Sequence, residues 1–400
     1  MNAKSVQKEK KVYKIENTMK QWFLSNMEIF FVVLLWLAGL ICRIFVLDYE
    51  TQDMRGFFLV WYEQVKAGGG FAALSEALGN YSGASCFLLA CSTYLPFEPI
   101  VSIKVVSIVF DVILAIGVGG IVYALSKDKH KGILAASITW LLPTVIMNSA
   151  MWGQADGIYT AFLVLCAWFV VKRRYVPAFI MFGVAFGFKL QAIFWLPILL
   201  VLWFVDEKVH IWHYLLAALS FFGTLLPCAL AGRGFKSQIK TYLFQMEDNS
   251  VLSLNMPNIY ALIGKSDVIE ANVKMLERVG IVMTLVLIGT LCYYLLKHRK
   301  QLNSTLWLEA MMLSILIINF FLPHMHERYT YSAVCLALVL AFFAKKYVFV
   351  FLAVFSHAFF ACCAPLLYSW NVDFRWLALV LGGTILYLIY DLRANLKAAV

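Results

Sequence analysis

Charge is what this sequence has least of. Only 14% of its 400 residues are Asp, Glu, Lys or Arg, while 62% are hydrophobic. A soluble domain of this length cannot cover so much apolar surface, so a water-soluble globular fold is excluded. Strand-turn-helix glycine fingerprints and phosphate-binding loops are missing, which excludes the recognised modes of nucleotide binding. Gly117, Gly119 and Gly120 lie inside an apolar run, and Gly183 and Gly187 form a small-xxx-small pair suited to helix packing. None of the nine cysteines follows a zinc-type spacing. Most sit inside apolar runs, and only Cys86 and Cys91 fall in a segment where they are placed to pair. The net charge of +10 is scattered over short loops rather than gathered on a basic motif, so nucleic acid is not an expected partner. Internal repeats, low-complexity tracts and a separate soluble domain are also missing. The opening MNAKSVQKEKKVYKIENTMK is too long and too charged for a signal peptide and reads as a cytoplasmic tail, 1–22.

What is present is a series of continuous apolar runs of about 15 to 25 residues, the length that crosses a bilayer as a helix. They do not alternate as barrel strands would. The expected fold class is an all-α polytopic membrane protein. With the Lys-rich tail inside, spans are expected at about 23–47, 99–125, 132–149 and 157–171, then two short spans within 175–205 that meet near Lys189. Further spans are expected at about 210–231, 278–297, 305–322, 329–344, 347–367 and 374–392, giving about 12 crossings within one domain, 23–392. Both termini, including a tail at 393–400, are then cytoplasmic. Two long external segments result, 48–98 and 232–277. In the first, DMRGFFLVWYEQVKAGG (53–69) and SCFLLACSTYL (85–95) have the spacing of interfacial amphipathic helices.

This threading brings four polar clusters to one face: Asp48 to Asp53, the WGQAD turn, Lys189 with Gln191, and HMHER. Charged groups near membrane depth are costly and usually line a cavity or pathway. Asp48 and Asp53 are each either a solvated acid at a helix start, with Asp53 placed as an N-cap, or a general base toward a hydroxyl. Trp152, Gln154 and Asp156 stand at a tight turn, as an interfacial anchor or as groups that hold a sugar. Lys189 either reaches the headgroups or meets an anion such as phosphate. His324, His326 and Glu327 leave a divalent cation open, although no third strong ligand is visible. Arg328 and a histidine suit a phosphate clamp, with Glu327 holding the guanidinium. A transporter or flippase of a lipid-linked sugar would also need many spans and a polar cavity, but matched halves are not visible. A non-catalytic scaffold would need none of the clusters individually.

Four stretches together, LDYETQDMRGFF, NSAMWGQADGIYT, GFKLQAIFWLP and PHMHERYTY, resemble the GT-C membrane glycosyltransferases. They are most similar to bacterial proteins related to GPI mannosyltransferase II, with kinship to the dolichyl-phosphate-glucose glucosyltransferases. The resemblance implies a GT-C-type fold. It also implies an inverting enzyme that takes a hexose, mannose by kinship, from a polyprenyl-phosphate donor at the outer face of a bacterial-type cell membrane. The acceptor would be a lipid-linked glycan or another envelope component. The family's acidic pattern falls on Asp48, Tyr49, Glu50 and Gln52, which implies Asp48 as base with Asp53 as the fallback. Substrate-binding roles fall on Glu50, Gln52, Trp152, Gln154, Asp156, Lys189, Gln191, His324, His326, Glu327 and Arg328. One stretch departs from the family: NYSGASCF (80–87) stands where relatives carry an Asn-Tyr-Pro-Pro-Leu-type sequence.

Overall fold

The computed structural model describes residues 3–247, 251–264 and 271–398. Parts of the expected segment 232–277 and the outermost ends of both expected tails therefore lie outside the described residues. Apart from connecting turns and loops and one two-residue strand pair, the described chain is helical.

Seven of its helices are long and apolar enough to cross a membrane: Met27–Val46, Pro99–Ser126, Ile211–Leu230, Val273–Lys297, Ser304–Phe321, Lys345–Cys363 and Phe374–Lys397. The expected count of about 12 does not follow from helix length. Each expected run is helical, but Asp156–Val171, Tyr175–Phe188, Leu190–Val205 and Tyr331–Ala341 are shorter than a full crossing. The expected continuous span at 132–149 is corrected to a bent pair, Lys129–Leu141 and Pro143–Trp152, with a 50° break. Pro143 causes the break, because proline lacks the amide hydrogen and clashes with the preceding turn. The chain also breaks at Lys189, which is extended (φ −151°, ψ 132°) between Tyr175–Phe188 and a 3-10 turn, Leu190–Trp195.

Both helices expected in the first external segment form. The first runs from Met54 through Ala67 and buries Met54, Phe58, Tyr62 and Val65 along one face. It stops at Gly68 and at Gly69, which takes a left-handed φ of 85°. The second spans Gly83–Ser92 and is capped by the Ser82 hydroxyl. Cys86 and Cys91 share that helix and are both free thiols. Five residues on one helix place their side chains about 140° apart, which explains why they do not pair.

Gly183 and Gly187 serve helix packing, as their spacing suggests. A Cβ on Gly183 would lie 2.0 Å from the Ala217 carbonyl oxygen, and one on Gly187 would lie 2.0 Å from the Thr224 hydroxyl. The helices Tyr175–Phe188 and Ile211–Leu230 thus meet backbone to backbone, as small residues permit in a bilayer. At the lower end of Ser304–Phe321, the Tyr347 hydroxyl donates to buried Glu309 (2.8 Å), and Lys346 pairs with Asp391 (2.7 Å). That end is far from Leu322–Arg328, so the two polar layers lie at opposite ends of the bundle. Gly183→Val is expected to destabilise the fold by at least about 3 kcal/mol through overpacking, read as aggregation or a lowered Tm in detergent. Gly223→Ala is the control: its Cβ would meet nothing within 4 Å, so stability should hold or rise slightly.

Candidate active site

The four polar clusters converge at one end of the bundle, and Asp53 is the residue that joins two of them. Its Oδ2 accepts hydrogen bonds from Trp152 Nε1 (2.9 Å) and Gln154 Nε2 (2.6 Å) and lies 3.7 Å from Arg328 Nη1. The carboxylate remains about one-third exposed (34%), enough to meet a substrate. Local geometry explains the turn that presents these donors. Met147–Trp152 winds as a π-helix and ends at Gly153, whose φ is 77°. A Cβ on Gly153 would come 2.5 Å from the Met54 methyl, which can swing aside, so it is the left-handed conformation that favours glycine here.

Asp156 is fully buried. It is ion-paired to Lys189, accepts from Asn148 Nδ2 (3.1 Å) and lies 3.6 Å from Arg328 Nε. Lys189 also stands 5.5 Å from the ring centres of both Tyr159 and Tyr329. The lysine that was expected either to reach headgroups or to meet an anion has met a protein carboxylate.

Arg328 lies over the Trp152 ring (4.7 Å) and faces three carboxylates: Asp53, Asp156 and Glu327, the last at 3.5 Å. All three distances exceed a good hydrogen bond. The Arg328 Nε is buried and has no hydrogen-bond partner. Burial works against its charge, but Asp156 and Glu327 outweigh that and keep the guanidinium protonated. Burial likewise opposes the charged form of Glu327. The adjacent His326 and Arg328 more than offset it and hold the carboxyl below the ordinary glutamate range.

The two histidines part company. Met325 and His326 form a short parallel strand pair with Ser253 and Leu254, so that stretch is extended. His324, however, takes a φ of 62°, and its Nδ1 donates to the Val251 carbonyl (2.6 Å) while Nε2 lies 3.4 Å from Glu277. The His326 Nδ1 lies 3.6 Å from Glu327 instead. Among the described residues, no three His, Cys, Asp or Glu side chains converge as a metal-holding set.

The remaining expected residues lie outside this centre. Asp48 and Gln52 are exposed, and Glu50 pairs with Arg55 on the surface (3.0 Å). Gln191 is half-buried on the wall of a chamber of about 630 Å³, with its Oε1 enclosed and unpartnered. Lys189, Gln154, Arg328, His324 and His326 line the same chamber, as do Asn80, Tyr81, Ser82 and Ser85 of the departing NYSGAS stretch. Its volume fits a substrate-sized site. Apolar Phe188, Leu190, Ile193 and Ile281 line the rest, so the chamber is amphipathic.

Sequence reasoning missed Asn148, which hydrogen-bonds Asp156, and three ionised residues inside apolar runs: Arg43, Lys104 and Asp111. Lys104 is buried and donates to the carbonyls of Leu47 (2.7 Å) and Tyr49 (2.6 Å), pinning the start of segment 48–98. The available signal was their charge at membrane depth.

An amphipathic chamber lined by a lysine, an arginine and two histidines, with Asp53 and Asp156 paired to those cations beside it, lies at one end of a bundle of membrane-length helices. The profile of glycosyltransferase family 87 matches residues 81–319, and the chain belongs to that family. The match takes in Trp152, Gln154, Asp156, Lys189 and Gln191 but stops short of Asp53 and Arg328. No curated protein matches the chain. Family membership supports a membrane glycosyltransferase over the transporter and scaffold readings. Lys189→Met is expected to cost about 3 kcal/mol, because Asp156 loses its nearest counter-charge while buried. The double variant Lys189→Met with Asp156→Leu should recover much of that stability, measured as Tm in detergent.

Proposed function

We propose that the protein is an inverting hexosyltransferase that moves a hexose from a polyprenyl-phosphate donor to a lipid-linked glycan or envelope acceptor at the outer face of the membrane. Mannose is the sugar favoured by kinship. The observation that carries this reading is the convergence of Asp53, Arg328, Asp156 and Lys189 at the edge of an amphipathic chamber. A donor with a charged head and an apolar tail matches such walls, and membrane lipids would surround the rest.

The reaction is a direct displacement. The acceptor hydroxyl oxygen attacks the anomeric carbon and its proton passes to a carboxylate. The bond from that carbon to the phosphate oxygen breaks, and polyprenyl phosphate leaves with the electron pair. Asp53 suits the base better than Asp48, because it is partly exposed yet aimed by Trp152 and Gln154 into the charged centre. Two donors on one oxygen orient it while leaving Oδ1 free for the acceptor. Arg328 supplies charge to the leaving phosphate. Its carboxylate neighbours balance it without saturating its hydrogen bonds, so it can turn donors toward phosphate oxygens. His326 lines the same chamber and serves as an auxiliary donor. A divalent cation is left open.

The test is a transfer assay in lipid discs, with a panel of polyprenyl-phosphate hexoses and a crude membrane acceptor extract. Asp53→Asn should lower polyprenyl phosphate release by about 10²-fold or more, while Asp48→Asn stays within about tenfold of wild type. The reverse pattern would move the base to Asp48. No release by folded wild-type protein with any donor would refute the donor class.

A further inference from the structure

Beneath the charged centre lies a second polar layer with no assigned role, built on Asp111. We infer that Asp111, held by Arg43, is a positioning residue for transfer, setting the π-helical turn that aims Trp152 at Asp53 and Asn148 at Asp156. The inference rests on the reading of the Asp53 centre as the active site.

Asp111 sits midway along Pro99–Ser126 and is fully buried, as is Arg43 on Met27–Val46. Arg43 donates from Nε (3.1 Å) and Nη2 (2.8 Å) to Asp111 Oδ2. Its Nη1 donates to the carbonyls of Gly39 (3.1 Å) and Trp140 (3.0 Å), and the guanidinium lies 3.5 Å over the Trp140 ring. The arginine is thus fixed on every side. The same Asp111 Oδ2 accepts a hydrogen bond from the Ser149 hydroxyl. Ser149 lies in the Met147–Trp152 turn, between Asn148, which donates to Asp156, and Trp152, which donates to Asp53.

The other oxygen, Asp111 Oδ1, faces the opposite wall of the site. A Cβ on Gly157 would come 3.2 Å from Oδ1 and 3.6 Å from the Tyr331 hydroxyl. Tyr331 follows HMHERYT directly, and its hydroxyl is buried and unpartnered. One carboxylate therefore bonds Arg43 of Met27–Val46 and Ser149 of the π-helical turn, and adjoins Gly157 at the start of Asp156–Val171. Stability alone does not account for this choice. A buried ion pair replaced by packed apolar groups is often no less stable, and charges inside a bilayer protein are retained where they serve a site. A small shift of a reacting group commonly costs about 10²-fold in rate.

The experiment compares wild type, Asp111→Asn and Ser149→Ala, each full-length in lipid discs, by the transfer assay and by amide hydrogen exchange. Asp111→Asn should fold, lose about 10- to 100-fold in kcat and keep its donor KM within about threefold. Exchange across 147–157 should quicken. Ser149→Ala, which removes the hydroxyl's contacts with Asp111 and with the Val145 carbonyl but keeps the carboxylate and its arginine, should show the same pattern more weakly. Combining Asp111→Asn with Asp53→Asn should cost less than the product of the single losses, because both act through one geometry. Folded Asp111→Asn with unchanged exchange across 147–157, or with quickened exchange and wild-type turnover, overturns the inference. If Asp111→Asn fails to fold, Ser149→Ala carries the test, and wild-type behaviour there overturns it. If wild type transfers from no donor, the proposed function fails, while the exchange result still decides whether Asp111 sets the turn.

Discussion

A single guanidinium, Arg328, stands among Asp53, Asp156 and Glu327 at the end of an apolar bundle. The constraint behind this arrangement is the low dielectric of the surroundings. Charges there cannot rely on water, so each must find an opposite charge or a hydrogen-bond partner in the protein. Arg328 alone cannot neutralise three acids, and Lys189 supplies the second cation through Asp156. Pairing therefore pulls together parts of the chain that are far apart in sequence: the segment after Met27–Val46, the WGQAD turn, the break at Lys189 and the HMHER loop. The loops at this end are shaped by charge compensation as much as by packing.

The same constraint explains the second layer. Arg43 and Asp111 lie deeper, where an unpaired ion would cost more, and there each guanidinium nitrogen of Arg43 has a partner. Upper and lower layers are joined through adjacent residues of one turn, Asn148 and Ser149. That turn is π-helical, follows a proline break and closes on a left-handed glycine, all of which interrupt the regular helix so that side chains can leave it. A regular helix would keep its polar groups on its own ladder. An interrupted one offers Trp152, Gln154 and Asn148 to neighbours.

Function follows from how this charged layer meets the chamber. Asp53 is aimed by two donors but stays partly exposed, Arg328 is balanced but not saturated, and the walls beyond them turn apolar. Such a site suits an amphiphile whose reacting centre sits where charge develops. Family 87 membership makes the chain a membrane glycosyltransferase, and the proposed donor chemistry is the one this geometry suits. The stretch NYSGAS, which departs from the resembling family, lines this same chamber. Its divergence therefore falls on the wall of the chamber that the proposed function assigns to the substrate.

Much of this was legible in the sequence. Continuous apolar runs have one physical outcome in a chain this poor in charge, because only helices satisfy their own backbone in lipid. The amphipathic helix from Met54 was legible from its spacing, and the glycine pair at 183 and 187 from the close contact it permits. The residue types of the centre were legible too, since polar groups beside apolar runs are few. What only the tertiary structure decided was which of them meet. Asp48 and Asp53 are five residues apart and chemically alike, yet the helical start at Asp53 turns that carboxylate inward and leaves Asp48 exposed on a turn. His324 and His326 look like a matched pair, but one positive φ sends them to different partners. Arg43 and Asp111 are 68 positions apart, and nothing local to either names the other. Composition and periodicity determine what each segment must bury, because those are properties of a segment by itself. Ion pairing depends on distances across the folded chain, and those exist only once the helices have packed.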